Sequence, residues 1–278
     1  MVLSEQNVNE IIEFVKKEPR TVQDVSRLIK RSWVTTNSYL EQTKEKTGLI
    51  DIKTFRKGSQ AALKIVYFRS SESITSDEIR TTLFTQIMSG RKKEDFDFLE
   101  IFKFVNDDKK QAFTQILNEN SSSNQGITTL FRRAKSQIYC FSGNISFINN
   151  IENNVSIIDV FEETLKRKVA IKIICRVNMA SLKNLSKIQH LLEKYKGLLE
   201  IKHSNQPLRG FMIDDDFARF KSEEPTSKYR EGELRKDIRI IYELLDLDWI
   251  SWLQKVFWHM FRTTIDSNLM MKELNKIL

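Results

Sequence analysis

Histidine, cysteine, proline and glycine are scarce in this sequence of 278 residues, which contains three, two, three and eight of them. The histidines, His190, His203 and His259, lie far apart in the sequence, and this spacing argues against a zinc site. Cys140 and Cys175 each lie inside an apolar, strand-like run and form no Cys-x-x-Cys pair, so we expect two buried free thiols. The sequence therefore predicts no metal site and no cofactor.

Long apolar runs are also absent. No stretch of about 18 apolar residues occurs, and the first residues, MVLSEQNVNE, lack the basic-then-apolar pattern of a signal peptide. These absences predict a cytoplasmic protein with no membrane partner. Charge is abundant, because 45 Lys and Arg stand against 37 Asp and Glu, a net charge of +8. A basic protein favours a polyanionic partner, although charge alone does not identify one.

The first seventy residues predict three helices followed by a strand pair. The first helix extends from Asn7 to Lys17, and Thr21 with Asp24 three residues later forms a capping box for the second. The third helix is expected to begin near Ser32. Two strand-like runs joined by a basic turn follow it, Leu49 to Phe55 and Leu63 to Phe68. This order matches a winged helix-turn-helix, which we assign to residues 1–70.

A winged helix suggests duplex DNA as the partner, because a recognition helix places polar side chains and cations from its N-terminal half against base edges. Candidate DNA contacts around the start of the third helix are Arg31, Ser32, Thr35, Thr36, Asn37 and Tyr39. The strand pair and its turn add Lys53, Arg56 and Lys57 for contacts to the DNA backbone or the minor groove. Trp33 is expected to pack against the protein. Winged helices also dock proteins, so a docking role is the alternative.

Residues 71–125 predict a helical connector. One helix begins at Ser76, a second carries an apolar stripe after the basic turn at residues 90–93, and a third is expected from Lys109 to Leu117. The polar run that ends at Gly126 resembles a linker and marks the next boundary. The aromatic side chains of the connector need cover, and we expect a homodimer contact there, with packing inside a helical subdomain as the alternative. They are Phe84, Phe96, Phe98, Phe102 and Phe104.

Residues 126–278 alternate between helices and strands, which predicts α/β layers around a mixed sheet. Strand-like runs include Gln137 to Phe141, the apolar VAIKIICRV, Leu199 to His203 and Phe211 to Ile213. A Trp-rich helix from Trp249 to Ile265 closes the chain. The predicted fold class is a multidomain α/β protein with a winged helix at its N-terminus.

Three local features of this half carry a family resemblance. They are the F-S-G-N turn at residues 141–144, a strand that ends at Asp214, and the closing-helix pattern WLQKVFW at residues 252–258. With them, the half resembles the phospholipase D-like domain at the C-terminus of archaeal TrmB-type transcriptional regulators, which carry an N-terminal winged helix. The resemblance covers most of the chain as architecture but does not extend to residues 74–117.

Enzymes of the phospholipase D superfamily use the motif His-x-Lys-x-x-x-x-Asp, in which the histidine attacks phosphorus. If the motif's aspartate is placed on Asp214, Pro207 stands where the nucleophile belongs and Arg209 where the lysine belongs. Proline cannot attack phosphorus and His203 lies four residues too early, so the resemblance implies a domain that is not an enzyme. A candidate site for a small anionic effector remains. Its residues are Ser142, Gly143, Asn144, His203, Arg209 and Asp214.

The sequence as a whole predicts a DNA-binding transcriptional regulator that acts as a homodimer. A catalytically inactive phospholipase D-like domain would support the dimer and hold the effector, or, if Arg209 instead pairs with the carboxylates at residues 214–216, would serve as a scaffold alone. Two other functions stay open. One is a DNA-targeted phosphodiesterase or nuclease, and the other is a chromatin or basal-transcription adaptor without sequence preference.

Overall fold

The computed structural model describes residues 3–55, 63–69, 76–116, 126–229 and 236–277. The N-terminal elements are α1 (Glu5–Lys17), β1 (Arg20–Thr21), α2 (Val22–Ile29), α3 (Trp33–Thr47), β2 (Ile50–Phe55) and β3 (Leu63–Phe68). Side-chain caps begin each helix: Ser4 caps α1, the predicted capping box of Thr21 and Asp24 begins α2, and Ser32 caps α3. The sequence therefore predicted these helices correctly.

The three short strands form one antiparallel sheet in the order β1-β3-β2. Helix α3 ends at Gly48, whose φ of +64° is a left-handed conformation that glycine adopts without strain. A separate apolar core holds the three helices on the sheet, and it includes Ile11, Val15, Val25, Leu40 and Val66. The predicted strand pair is present, and the turn that joins β2 to β3 lies outside the described residues.

The rest of the chain builds a second, larger sheet with helices on it. Its elements are α4 (Ser76–Ser89), α5 (Leu99–Phe102), β4 (Lys110–Ile116), α6 (Ile127–Arg132), β5 (Gln137–Phe141), β6 (Ile151–Glu152), β7 (Val155–Ser156), α7 (Ile157–Lys166), β8 (Ala170–Cys175), α8 (Met179–Lys187), α9 (Gln189–Lys194), β9 (Leu199–His203), β10 (Gly210–Ile213), β11 (Phe217–Glu224), β12 (Ile238–Leu244), α10 (Leu247–Thr263), β13 (Ile265–Asp266) and α11 (Ser267–Ile277).

The large sheet has eight strands in the order β13-β9-β8-β5-β10-β11-β12-β4. Strands β5, β8 and β9 are parallel, and the other neighbouring strands are antiparallel. The predicted α/β class with a mixed sheet is confirmed. On one face the ring of Tyr139 lies 4.8 Å from that of Phe257 of α10. On the other face Phe211 lies 4.9 Å from Phe131 of α6, so helices cover both sides of the central strands.

The helix predicted from Lys109 to Leu117 is wrong, because most of this segment is the edge strand β4. Its residues pair with β12 along its full length, from Lys110 opposite Leu244 to Ile116 opposite Ile238. Within KQAFTQI, Thr114 and Ile116 are buried while Gln111 is exposed. This alternation is the period of a strand, and pairing with β12 outweighs the local helical propensity of the segment.

The aromatic stripe of the connector neither forms a helical subdomain of its own nor remains exposed for a second subunit. Phe98 stacks on Phe220 of β11 at 4.3 Å between ring centres, and Phe102 lies 5.0 Å from Tyr242 of β12. Phe84 meets His259 of α10 at 5.0 Å. The stripe is therefore covered by the large sheet and α10 of the same chain, and it no longer supports a dimer contact in the connector.

The division into residues 1–70, 71–125 and 126–278 stays a prediction, but contacts cross both proposed boundaries. One core cluster contains Phe55 and Ile65 of the small sheet together with Phe102 and Tyr242. The ring of Phe55 lies 6.4 Å from that of Tyr242. The small sheet thus packs directly on the large one. Within the described ranges, no helix has the length and apolar character needed to cross a membrane.

Both cysteines are free and buried in the core, as expected from the apolar runs that contain them. Burial raises the pKa of the Cys175 thiol to about 12 and also raises the pKa of Cys140. Neither thiol is therefore available as a thiolate near neutral pH, and both side chains pack in the core.

Candidate functional site

The hydroxyl groups of Ser32 and Thr35, which were predicted to contact DNA, form the N-terminal cap of α3. Ser32 Oγ accepts a hydrogen bond from the backbone N–H of Thr35 at 3.2 Å, and it lies 2.9 Å from Thr35 Oγ1. These bonds satisfy a backbone donor that every helix start leaves open. Both side chains therefore stabilise the helix, while Arg31, immediately before the cap, is exposed.

Two of the predicted DNA contacts are wrong because their side chains face the core. Thr36 is fully buried and its hydroxyl donates to the carbonyl oxygen of Ser32 at 2.9 Å. Tyr39 is 3% exposed and belongs to the N-terminal core. Together with Leu40 and Thr43 they form the inward face of α3, as residues three and four apart on a helix do. Neither can reach a base from this position.

Asn37 is half-buried and already has a partner. Its Oδ1 accepts a hydrogen bond from Lys64 Nζ of β3 at 2.8 Å. The same ammonium lies 3.6 Å from Glu41 and 5.9 Å from the centre of the Trp33 ring. Lys64 was not predicted as part of this site, and only the pairing of the small sheet with α3 brings it there.

Two apolar side chains, Trp33 and Val34, are exposed in the first turn. Trp33 was expected to pack but is exposed, at 36% of its surface, and Val34 is exposed at 73%. They are the first two residues of α3. Val34 lies on the opposite side of the helix from Thr36 and Leu40, and a helical wheel would have found it. Trp33, seven residues before Leu40, lies on the flank of the inward face, beside Lys64. We call Arg31, Trp33 and Val34 the α3 surface.

Of the three basic residues predicted for the strand pair, only Lys53 lies within the described residues. Its side chain is half-buried, and Nζ lies 5.7 Å from the centre of the Phe102 ring in α5. Lys53 therefore faces the connector. Arg56 and Lys57 fall between residues 55 and 63, outside the part of the chain that the structure describes.

A second group of candidate residues meets where the parallel strands β5, β8 and β9 end. Residues 142–144 follow β5, Arg176 follows β8, and His203 is the last residue of β9. The carboxyl ends of parallel strands lie at one edge of a sheet, which is where α/β folds bind ligands. The backbone N–H of Arg176 donates to the Gly143 carbonyl oxygen at 2.7 Å, which joins the first two turns.

Arg209 lies in this edge as the sequence predicted. Its Nη1 donates to the carbonyl oxygens of Gln206 and Leu208 at 2.9 and 2.7 Å. The guanidinium lies against Gly143, where a Cβ atom would come within 3.1 Å of Arg209 Nε, so the absence of a side chain allows the close approach. Burial, and secondarily the charge of Arg176, lower the pKa of Arg209.

Arg176 is a site residue that the sequence analysis missed. Its Nε donates to Asn205 Oδ1 and its Nη2 to the carbonyl oxygen of Arg91, each at 2.9 Å. The signal for it was its place immediately after the apolar run of β8. The contact with Arg91 shows that the basic turn after α4 forms one wall of the site, and Gly90 of that turn packs closely on Pro207.

His203 lies close to Arg176 and is held by the protein backbone. Its Nδ1 accepts a hydrogen bond from the Val177 N–H at 2.8 Å. Burial, followed by the charge of Arg176, lowers the pKa of His203, and an accepting Nδ1 also requires that this nitrogen carry no proton. The imidazole is therefore a neutral ring near pH 7.

Asp214 does not belong to this edge, which corrects the predicted site. It follows β10 at the opposite end from Arg209, with a left-handed φ of +47°. Its carboxylate accepts hydrogen bonds from the N–H groups of Lys135, Ser136 and Gln137 at 2.8 to 3.0 Å. Burial alone would raise the pKa of Asp214, but these bonds outweigh it and lower the pKa. The expected alternative, an ion pair with Arg209, is excluded for Asp214 by the same geometry.

Ser142 and Asn144 shape the turn after β5. Ser142 Oγ accepts from the Ile145 N–H at 3.0 Å, and Asn144 Oδ1 accepts from the Ser146 N–H at 3.2 Å. Ser142 is also 8% exposed. Both side chains are thus engaged in local turn bonds, and Gly143 contributes to the edge through its backbone.

Further cations extend the edge along β11 and β12. Lys221 is half-buried, and burial, with Arg239 beside it and Arg209 near it, lowers its pKa to about 8. A single carboxylate, Glu223, lies 3.6 Å from Arg239, 4.0 Å from Lys221 and 2.6 Å from Lys93 of the turn after α4. We call Arg176, Arg209, Lys221 and Arg239 the cationic cluster. Among the described residues, the carboxylates near Arg209 are Glu94 and Glu223, fewer than the four cations of the cluster.

Comparisons with known proteins give structural neighbours only. No family model matches the chain, and no curated protein matches it. TrmBL2, described as an archaeal chromatin protein with a novel mode of DNA binding, is 12% identical with a TM-score of 0.42, over 95% of this chain and 94% of its own. Nuc from Salmonella typhimurium, a phospholipase D family member, is 14% identical with a TM-score of 0.38, over 57% and 98%. NucT from Helicobacter pylori is 11% identical with a TM-score of 0.40, over 57% and 99%.

Both kinds of protein that the sequence resembles are therefore among its structural neighbours. One is a protein of the TrmB type that aligns with nearly the whole chain, and the others are phospholipase D-like proteins that align with 57% of it. At these identities and TM-scores the similarity assigns no activity or ligand to this chain.

Proposed function

We propose that this protein is a cytoplasmic, DNA-binding transcriptional regulator whose residues 1–70 form a winged helix-turn-helix. One observation carries the proposal: the elements α1, β1, α2, α3, β2 and β3 follow one another with the sheet order β1-β3-β2, and the first turn of α3 is exposed. That order supports α3 as the proposed recognition helix, with its first turn as the part that would enter the major groove.

The charge around the α3 surface supports contact with phosphates. Lys30 and Arg31 precede the helix and are both exposed. Residues 1–70 contain 13 Lys and Arg against 8 Asp and Glu, a surplus of five within the total of +8. Cations that flank the base-reading turn position a protein on the duplex and give its affinity a strong dependence on salt.

The proposal includes a homodimer, because two recognition helices on one duplex nearly double the contacts and fix the spacing of half-sites. The connector aromatics are covered within the chain, so the contact between subunits would involve other surfaces. The residues after β12 are one candidate, since Leu245 and Leu247 are more than half exposed. Sedimentation of the full chain tests this part of the proposal, with a dimer as the expected species.

The cationic cluster is proposed as a non-catalytic site for a small phosphate-like anion. Arg209 Nη1 has carbonyl partners, but within the described residues Nε and Nη2 have none, and the buried Nε of Arg239 also has none. Such groups are ready donors to an anion. The contact of Arg176 with the turn after α4 would let an effector act on the connector.

A nuclease is the second candidate, because one observation favours it: His203 lies at the same edge as Arg176 and Arg209. Against it, Pro207 stands at the motif's nucleophile position, and Val177 fixes His203 through Nδ1. Incubating supercoiled plasmid with the protein and with His203→Ala separates the two. No nicking by either protein is expected, and nicking that depends on His203 would replace the proposal with the enzyme.

The DNA-binding proposal is tested by titrating short duplex DNA with the full chain over a series of salt concentrations. We expect affinity to fall steeply with salt, and Arg31→Ala to weaken binding and reduce the log–log slope by about one. Lys166→Ala, which removes an exposed lysine from the far end of α7, is the matched control and should leave the slope unchanged. An Arg31→Ala slope equal to that of the unmodified chain would contradict the proposed surface.

A transcriptional regulator prefers particular DNA sequences, whereas a chromatin or basal-transcription adaptor does not. Mapping the protein on its own genome should show discrete sites for a regulator. A uniform distribution, with equal affinity for all duplexes, would favour the adaptor instead.

A further inference from the structure

The first turn of α3 presents apolar side chains where a DNA-reading helix usually presents polar ones. Val34 is the most exposed large apolar side chain within the described part of the chain, at 73%, and Trp33 is exposed at 36%. Neither residue has a role in the cap of the helix or in the core. Val34 is therefore free to contact a partner without any change in the fold.

The polar groups of the same turn have few hydrogen bonds left to offer. The hydroxyls of Ser32 and Thr35 are engaged in the cap, and Asn37 accepts from Lys64. Thr36 is buried. These bonds reduce the hydrogen bonds that the turn can offer to bases, and beside its remaining polar groups the turn exposes Val34 as an apolar contact.

In the major groove, the apolar feature that distinguishes one base pair from another is the C5 methyl group of thymine. The residues at the N-terminal end of a recognition helix are those that meet base edges. Exposed cations that precede the turn, Lys30 and Arg31, match the phosphates that border the groove. Apolar contact and flanking positive charge thus both complement duplex DNA, and within it they favour thymine.

We propose that Val34 contacts thymine methyl groups in the major groove and gives the protein a preference for T-containing sites. This inference rests on the proposed DNA-binding function and specifies what its reading helix recognises. Burial of one methyl group is worth about 0.8 kcal/mol, which corresponds to about a fourfold change in affinity.

The test compares two duplexes that differ only in the thymine methyl group. One is an alternating dA·dT duplex, and the other has deoxyuridine at every thymine position. Affinities of the full chain, Val34→Ser and Leu269→Ser are measured at one fixed salt concentration. Leu269 is the matched control, because it is an exposed apolar residue on α11, which packs at the β9 and β13 side of the sheet, away from the small sheet.

We expect the unmodified chain and Leu269→Ser to bind the thymine duplex about fourfold more tightly than the uracil duplex for each methyl group contacted. Val34→Ser should bind both duplexes with equal affinity. Because Val34 is exposed, this variant should fold with an unchanged unfolding temperature, which circular dichroism verifies.

Two outcomes would overturn the inference in different ways. If the unmodified chain binds both duplexes equally, the thymine contact is absent while the DNA-binding function stands. If Val34→Ser keeps the full difference, the methyl groups are read by another part of the protein. Failure of the unmodified chain to bind either duplex would overturn the inference together with the proposed function.

Discussion

The α3 surface and the cationic cluster differ in how their polar side chains are hydrogen-bonded. At the start of α3, the polar side chains of Ser32, Thr35 and Asn37 have hydrogen-bond partners within the protein, and the exposed residues include Arg31 and Val34. At the sheet edge, Arg176 and Arg209 are held by carbonyl and amide oxygens, which leave both side chains charged, and none of these hydrogen bonds goes to a carboxylate. The difference suggests a surface that meets a large partner by shape and a cleft that holds a small anion.

Asp214 lies at the opposite end of β10 from Arg209, although the motif predicted both residues in one site. Of the substitutions considered, Asp214→Ala should cause the largest loss of stability. Asp214→Ala deletes the acceptor of three backbone N–H groups and places alanine at a left-handed φ, so we expect a loss of about 3 kcal/mol in unfolding free energy. Chemical denaturation measures it. Asp216→Ala, which removes an exposed neighbour 3.9 Å from Arg133, is the control and should change stability by less than about 0.5 kcal/mol.

If Asp214→Ala instead leaves stability unchanged but abolishes anion binding, Asp214 acts in the ligand site after all. The comparison between a structural carboxylate at one end of β10 and a binding guanidinium at the other would then be wrong.

Gly143→Ala tests whether Arg209 binds the anion, because the added Cβ would lie 3.1 Å from Arg209 Nε. The guanidinium must shift, and we expect binding of inorganic phosphate to weaken about tenfold, the loss of one charge-assisted hydrogen bond. Isothermal titration calorimetry gives the affinities. Lys166→Ala, a change at the far end of α7, should bind phosphate as the unmodified chain does. Equal affinity for all three proteins would place the phosphate away from Arg209, and no binding by the unmodified chain would favour a scaffold without a ligand.

The lowered pKa of His203 at the sheet edge should make the stability of the protein depend on pH. The folded state lowers the pKa of His203 below the ordinary value of 6.5, so the unfolded chain binds the proton more readily. Stability is then lost as pH falls below about 6.5, by less than about 1.4 kcal/mol per pH unit. His203→Asn retains an acceptor for the Val177 N–H and cannot titrate.

Thermal unfolding between about pH 5 and 7 should therefore show a smaller decline for His203→Asn than for the unmodified chain. An identical decline for both proteins would place the responsible proton on another group and remove the evidence for a neutral His203 in the folded state.

The helices and strands of residues 3–55 were predictable because their signals are local. The capping box of Thr21 and Asp24, the cap at Ser32 and the stop at Gly48 all act within one helical turn. The direction of each side chain was less well predicted. Thr36 and Tyr39 have side chains suited to DNA contact and lie near the start of a helix, but the period of 3.6 residues places both on the buried face.

The sheet edge could not be predicted from local signals, because it is formed by pairing between strands that are distant in sequence. Strand β4 was mistaken for a helix because its cover comes from β12, more than a hundred residues later. Arg176 carried no motif, and only the parallel pairing of β5 with β8 brings it beside Gly143. The motif alignment placed Arg209 and Asp214 in one site, whereas a strand of four residues keeps them at opposite ends.

Hydrogen–deuterium exchange of the full chain, with and without duplex DNA, compares both regions in one measurement. DNA should slow exchange in peptides that cover residues 30–38 and leave those that cover residues 203–210 unchanged. Slower exchange at residues 203–210 with no change at residues 30–38 would place the DNA on the sheet edge and contradict the central claim that α3 is the part that reads it.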